Sequence, residues 1–236
     1  MPIYRSYHMA KEILIYDVIV SNDDFFGGVS PGDIIDQLDG DVHVRINSPG
    51  GDAFAGIAIY NAMRSHVGEV HVTVDALAAS AASIIAMAGD KIDMADNAMM
   101  MIHNGWTFTM GDRNTHRKQA DFLEKVDSNI LDTYARQIGE DANKDELAAM
   151  MDEETWFTAT EAMDLGLTTG ITEDVKVAAC LTKQQLGWFS NAPAAVAAMV
   201  QGTTTQQEPV KPVDKAAREL WLQKKDEIGT VVDTFA

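Results

Sequence analysis

The chain has 236 residues, 46% of them hydrophobic, which is enough for one sizeable globular domain with an appended segment. The formal net charge of −18 repels phosphate backbones and disfavours a nucleic-acid-binding surface, and the absence of any run of 18 or more apolar residues argues against a membrane span. A single cysteine, Cys180, excludes an internal disulfide framework and a thiolate zinc cluster, so we expect a cytoplasmic protein that holds no metal.

Short β-branched or apolar runs alternate with segments of helical length in the first half of the chain. The predicted strands are residues 12–20, 42–46, 70–75 and 98–102, and the predicted helices among them are residues 53–66 and 80–88. Such alternation is typical of an α/β fold with a largely parallel sheet.

A long amphipathic helix is predicted from Thr115 to Ile138, where apolar residues recur every four positions among charges. This apolar stripe needs a partner surface. Shorter helices are predicted at 144–151 and 159–165. Thr158 and Glu161 have the spacing of a capping box at the start of the last one.

The composition changes near residue 187. Residues 190–213 are rich in Ala, Pro, Thr and Gln, as is typical of a linker, and the spacing at 214–228 predicts a helix that would be marginal alone. We therefore predict three parts: a body of residues 1–186, a linker of residues 187–213 and a C-terminal helical tail of residues 214–236.

One segment suited to catalysis is RINSPGG at residues 45–51, between a predicted strand and a predicted helix. Pro49 and the pair Gly50 and Gly51 can bring bare backbone N–H groups into the open, which suits an oxyanion hole. On its own, the segment is more typical of a simple strand-to-helix turn.

Ser80 and His103 are the candidate nucleophile and base. Ser80 follows a strand at the start of a helix, where free N–H groups favour developing negative charge, although a small-residue helix with Ser80 and Ser83 as packing residues is the commoner arrangement. His103 ends a strand, where active sites of α/β sheets collect, and a buried structural histidine is the alternative. The other histidines show no metal-ligand spacing: His8, His43, His66, His71 and His116.

Acyl transfer needs a nucleophile, a base and an oxyanion donor. Ser80, His103 and the glycine loop together therefore support a catalytic interpretation more strongly than any one of them alone. Four segments carry a family resemblance: INSPGG at 46–51, AAS at 78–80 with AG at 88–89, MIH at 101–103, and FTATEAMDLGL at 157–167. In identity, order and approximate spacing they resemble the ClpP family of serine peptidases, over roughly residues 12–172.

The resemblance implies a ClpP/crotonase-like spiral of repeated β-β-α units with a projecting handle helix. It also implies Ser80 as nucleophile and His103 as general base, with the N–H groups of Gly51 and Ala81 as the oxyanion hole. No metal or organic cofactor is then needed.

The third member of the triad is less clear from the sequence. The family usually has Asp at the position of Glu154, and Asp152 is the second candidate. Glutamate can orient an imidazole as aspartate does. The glycine-rich loop, with Gly50 and Asp52, is expected to bind an extended substrate as an added strand.

The resemblance implies a homo-oligomeric ring, with the long helix as a handle that joins two stacked rings. Divergence from the housekeeping members and the appended segment favour the phage branch, in which scaffold and capsid proteins are processed during head maturation in the host cytoplasm or the prohead. The alternatives are a housekeeping peptidase that works with an ATP-driven unfoldase, a thioester-binding enzyme of the enoyl-CoA hydratase type, and a non-catalytic assembly protein on the same fold.

Overall fold

The computed structural model describes residues 10–21, 27–173, 181–194 and 196–197. Within them the strands are β1 Lys11–Ile15, β2 Val42–Ser48, β3 Val70–Ala79, β4 Lys91–Ala95, β5 Met99–Ile102, β6 Thr155–Thr158 and β7 Gly170–Thr172. The α-helices are α1 Pro31–Ile35, α2 Ala53–Ser65, α3 Ala81–Ala86, α4 Arg113–Ile138, α5 Lys144–Asp152, α6 Ala159–Leu165 and α7 Lys183–Leu186. A 3-10 turn at Gly139–Asp141 follows α4.

The strands form one sheet in the order β1-β2-β3-β4-β7, and all neighbours along this path are parallel. The long strand β3 has two partners on one side, β4 along its first half and β5 along its second half. Strand β6 pairs antiparallel with β5. The predicted α/β fold with a largely parallel sheet is confirmed, and the arrangement is that of a ClpP-like fold.

Local sequence signals explain most of the helix ends. Asp112 caps α4, since its side chain accepts the N–H of Thr115. The predicted capping box of Thr158 and Glu161 is present at α6, which ends at Gly166 with φ of +88°. The long helix is also as predicted, apart from a start two residues earlier.

The two faces of the sheet differ in character. On one face, Val44, Val72 and Val74 are buried in the main hydrophobic core, to which α2 and α3 also contribute. On the other face, Arg45 makes two hydrogen bonds to the fully buried Asp75, of 2.9 Å from Nε and 2.6 Å from Nη2. The Tyr16 hydroxyl donates to the same carboxylate. A buried charge is thereby paired.

Parts of the predicted linker that are described pack on the body. Val196 is buried in a small apolar cluster with Leu77, Met101 and Leu181. His8, Cys180, the rest of the predicted linker and the whole predicted tail lie outside the described residues, so the predicted division of the chain remains a prediction. Among the described residues, no helix has the length and apolar character that a membrane span requires.

Candidate active site

Ser80 occupies a sharp turn between β3 and α3. Its backbone has φ of +54° and ψ of −125°, and within the described residues only Ser80 and Glu154 have a positive φ without being glycine. The turn is held at both ends, because the Ser80 N–H donates to the Met101 carbonyl at 3.0 Å and the Ser80 carbonyl accepts the Ser83 N–H at 3.0 Å. Backbone strain of this kind is found at active sites, where surrounding contacts maintain it.

His103 lies beside this serine because β3 and β5 are parallel neighbours that end at the same edge of the sheet. Its Nε2 is 2.7 Å from the Ser80 Oγ. Burial lowers the pKa of His103 below its ordinary value, and the negative charge of Glu154 opposes part of that shift. The imidazole is therefore neutral near pH 7 and can accept the hydroxyl proton of Ser80.

The glycine loop after β2 packs directly against the turn at Ser80. Gly50 has φ of +86°, and a Cβ there would lie 2.5 Å from the Ala79 carbonyl oxygen and 2.9 Å from the Ala81 nitrogen. Helix α3 begins at Ala81, so the Ala81 N–H has no acceptor inside the helix. The N–H of Gly51 takes part in none of the hydrogen bonds among the described residues. The predicted oxyanion donors thus flank the same serine.

Asp52 lines the cavity at Ser80, as expected for a residue near the substrate. Its carboxylate, however, accepts the N–H of Ala55 at 2.8 Å and so caps α2. Asp52 therefore holds the start of α2 next to the glycine loop, and its contact with a substrate remains a prediction.

Glu154 lies near enough to His103 for its charge to act on the imidazole, and its role as the triad acid remains a prediction. Its carboxylate accepts the N–H groups of Ser190 at 2.8 Å and Asn191 at 2.7 Å, and the Trp156 indole at 3.3 Å. Among the described residues, no hydrogen bond joins this carboxylate to the imidazole. The backbone of Ser190 and Asn191 and the Trp156 indole hold the carboxylate instead.

Asp152, the second candidate, makes no hydrogen bond with the imidazole among the described residues either. It accepts the Asn104 side-chain amide at 2.6 Å. Asp127, on α4, accepts the N–H of Gly105 at 2.6 Å, and burial raises the pKa of its carboxyl group. These two carboxylates fix the chain that follows His103, while Glu154 influences the imidazole through its charge.

The segment 188–191 is part of the site and was not predicted. Trp188 and Phe189 line the cavity that holds Ser80, and Ser190 and Asn191 bind Glu154. The signal for it was present in the sequence: GWFS places two large aromatic residues in a stretch otherwise assigned to a linker.

The cavity beside Ser80 has a volume of about 490 Å³. Aromatic side chains form much of its wall, among them Phe54 and Phe122, whose rings stack with centroids 6.1 Å apart. An open apolar cleft with a few polar groups is typical of a substrate-binding site. In the described part of the chain, no group of three or more His, Cys, Asp or Glu side chains is placed to hold a metal ion.

Comparison with known proteins places these residues in a family. A family model described as Clp protease matches residues 35–175, which include Ser80, His103 and Glu154 but not the segment 188–191. An ATP-dependent Clp protease proteolytic subunit of Borreliella afzelii is 31% identical over 133 residues, covering 56% of this chain and 66% of the relative. The corresponding protein of Ligilactobacillus salivarius is 33% identical over 141 residues, with coverages of 58% and 69%. Subunit 2 of Treponema denticola is 33% identical over 137 residues, with coverages of 57% and 68%.

Proposed function

This chain belongs to the Clp protease family of serine peptidases, and we propose that it hydrolyses peptide bonds with Ser80 as nucleophile, His103 as general base and Glu154 as the acid of the triad. The observation that carries the proposal is the 2.7 Å contact between His103 Nε2 and Ser80 Oγ at a strained turn. A nucleophile and a base within hydrogen-bond reach are the signature of covalent catalysis.

In the first half of the reaction, His103 takes the hydroxyl proton as Ser80 Oγ attacks the peptide carbonyl carbon. The resulting oxyanion accepts the N–H groups of Gly51 and Ala81. His103 then gives its proton to the leaving amine, the C–N bond breaks, and an acyl-enzyme remains. Water repeats the sequence in the second half, with the acyl group leaving Ser80 as a carboxylic acid.

Glu154 acts in this scheme as a fixed negative charge near the imidazole. The two N–H groups of Ser190 and Asn191 hold the carboxylate in place. Its charge stabilises the imidazolium that forms when His103 accepts the proton, in the same direction as its effect on the pKa of His103. No cofactor takes part.

An extended peptide suits the cleft better than a folded one. The glycine loop with Gly50 and Gly51 offers backbone to pair with a substrate strand, and such pairing depends little on substrate side chains. We therefore propose protein or peptide substrates, with cleavage governed mainly by access to the site.

The biological setting is the finer part of the proposal. We propose that the chain forms homo-oligomeric rings and that the exposed part of α4 joins two of them into a stacked double ring. This assembly is proposed to process phage scaffold and capsid proteins during head maturation in the host cytoplasm or prohead. The appended segment after residue 186 supports this assignment. The second candidate is a peptidase that works with an ATP-driven unfoldase, and the similar proteins described above, which are ATP-dependent Clp protease proteolytic subunits, favour it.

The chemical proposal is tested by intact mass spectrometry after treatment with a fluorophosphonate. We expect one adduct on the wild-type chain and on His116→Ala, a matched control whose histidine lies exposed on α4, and none on Ser80→Ala or His103→Ala. An adduct that persists in Ser80→Ala, or a folded wild-type chain that never reacts, contradicts the proposal.

The setting is tested with substrates. We expect purified phage scaffold and capsid proteins, and unfolded casein, to be cleaved without ATP, by an assembly whose mass is a multiple of the 25.7 kDa chain. Cleavage that requires both ATP and an unfoldase supports the second candidate instead.

A further inference from the structure

A chain of buried hydroxyl groups connects the long helix α4 to the turn at Ser80. The Ser83 hydroxyl donates to the Ser80 carbonyl at 2.6 Å, and the Tyr134 hydroxyl lies 2.8 Å from the Ser83 oxygen. A carbonyl can only accept, so the single proton of Ser83 points to Ser80 and Tyr134 must donate to Ser83. Both side chains are buried, with exposures of 0% for Ser83 and 1% for Tyr134.

The need of the Ser80 carbonyl for a hydrogen-bond donor does not explain these two buried hydroxyl groups. That carbonyl already accepts the backbone N–H of Ser83 at 3.0 Å and that of Ile84 at 3.4 Å. The surroundings of Ser83 are apolar, with Ala82 and Ile85 fully buried beside it. An alanine and a phenylalanine would fill the same space without burying two hydroxyl groups, which is costly unless both are hydrogen-bonded.

The geometry of the Ser80–Ala81 peptide unit links these hydroxyl groups to the direction of the Ala81 N–H. The peptide bond between Ser80 and Ala81 is planar and trans, so its C=O and N–H groups point in opposite directions. A carbonyl anchored toward the body of α3 therefore directs the Ala81 N–H out of the helix, toward the position of the oxyanion. Ser80 combines a φ of +54° with a ψ of −125°, which lies outside the allowed left-handed region, and rotation of this peptide plane would change ψ toward that region and relieve the strain.

We propose that Ser83 and Tyr134 are positioning residues that hold the Ser80–Ala81 peptide plane and so orient an oxyanion donor of the active site. Neither residue touches the substrate. The inference rests on the proposed peptidase function, in which Ala81 supplies that donor. Burial raises the pKa of the Tyr134 phenol above its ordinary value, so the group is a protonated donor near neutral pH.

The test measures kcat and KM for a fluorogenic peptide with Ser83→Ala, Tyr134→Phe and the double variant, well below the unfolding midpoint of each. Complete loss of an oxyanion donor costs about 10² to 10³ in kcat, so we expect a misaligned donor to cost about tenfold with KM unchanged. Because the two hydroxyl groups act in series, the double variant should lose about as much kcat as either single variant.

Tyr60→Phe is the matched control. Tyr60 is also buried, and its hydroxyl also contacts α4, where it accepts a hydrogen bond from Arg136 at 3.0 Å, but it has no link to Ser80. We expect kcat within twofold of wild type for this variant even where its stability falls. Equal losses of kcat in Tyr60→Phe and Tyr134→Phe, unchanged kcat in Tyr134→Phe, or losses that multiply in the double variant would each overturn the inference.

The failure of the proposed function has a different signature. A folded wild-type chain that neither hydrolyses the peptide nor reacts with fluorophosphonate at Ser80 removes the peptidase function itself. If the wild-type chain is active and kcat is unchanged in Ser83→Ala and Tyr134→Phe, only the positioning role is removed.

Discussion

Gly50 offers the sharpest test of how the glycine loop supports Ser80, the proposed nucleophile. A Cβ at this position would lie 2.5 Å from the Ala79 carbonyl oxygen, 2.7 Å from the Ser80 Cβ and 2.9 Å from the Ala81 nitrogen. Two of these three atoms belong to the backbone of the turn at Ser80, and the position of the third, a Cβ, is fixed by that backbone. None of the close approaches can therefore be relieved by a rotamer change. Gly50→Ala must therefore move the loop or the turn.

Gly166→Ala is the control that separates the steric overlap at Gly50 from the cost of giving an L-residue a positive φ. Its φ of +88° is nearly that of Gly50 at +86°, but a Cβ there would meet Ile138 at 3.7 Å, an ordinary contact. A left-handed conformation costs an L-residue about 1–2 kcal/mol, which applies to both positions. Overpacking adds about 1–3 kcal/mol at Gly50 alone, so its total is about 2–5 kcal/mol.

The two alanine variants are compared by urea unfolding and by the rate of fluorophosphonate labelling. We expect Gly166→Ala to lose about 1–2 kcal/mol of stability and to label at the wild-type rate. Gly50→Ala should label about 100-fold more slowly even where it is fully folded, since a displacement of about 1 Å at a reacting group has this effect. Wild-type labelling by Gly50→Ala, or equal losses of stability in the two variants, refutes the reasoning.

Two further variants test charges near and far from the site. Glu154→Gln removes the charge that raises the pKa of His103, so that pKa should fall further. Because the neutral imidazole is the proposed base, the acidic limb of the labelling-rate profile should then move to lower pH. A limb that does not move contradicts this through-space role. Arg45→Met leaves the buried Asp75 carboxylate without its two guanidinium hydrogen bonds, and we expect a loss of about 3 kcal/mol in urea unfolding, at the lower end for a broken buried pair because Tyr16 still donates. Labelling of Ser80 by the folded Arg45→Met chain should be unchanged, and a stability within 1 kcal/mol of wild type would show that water already solvates Asp75.

The parts of the fold that the sequence predicts well are those with local signals. The apolar period of four along α4 and the capping box of α6 are both read from neighbouring residues. Strand β3 was predicted to end at residue 75 but continues to Ala79. Its last four residues, ALAA, lack the β-branched residues typical of strands, and pairing with β5 keeps them extended.

Strands β4, β6 and β7 were not predicted either. For β6 and β7 the reason is again that pairing, rather than local composition, keeps the segment extended. Strand β6 has four residues and β7 has three, and both depend on distant partners. The pairing of β6 with β5 joins residues more than 50 positions apart, such as Met100 and Phe157. Context of this kind overrides the weak propensity of a short segment.

The convergence of Ser80 and His103 could be predicted because it follows from topology. Each residue comes at the end of a strand, and parallel neighbours end at the same edge of the sheet. The partners of Glu154 could not be predicted in this way. They are backbone N–H groups of Ser190 and Asn191, and every residue except proline carries such a donor, so no residue type marks them in the sequence.

The placement of Glu154 also bears on how the catalytic power of the site is distributed. A triad acid that hydrogen-bonds its histidine selects the tautomer and the orientation of the ring, and its loss is then very costly. Here both carboxylate oxygens are held by the segment 188–191, which lies beyond the family match at residues 35–175. The imidazole is placed instead by the edge of the sheet and by its contact with Ser80. Catalysis should therefore depend more on the Ser80–His103 pair and on the two oxyanion donors than on the third residue, and the backbone that fixes those donors becomes the most sensitive part of the site.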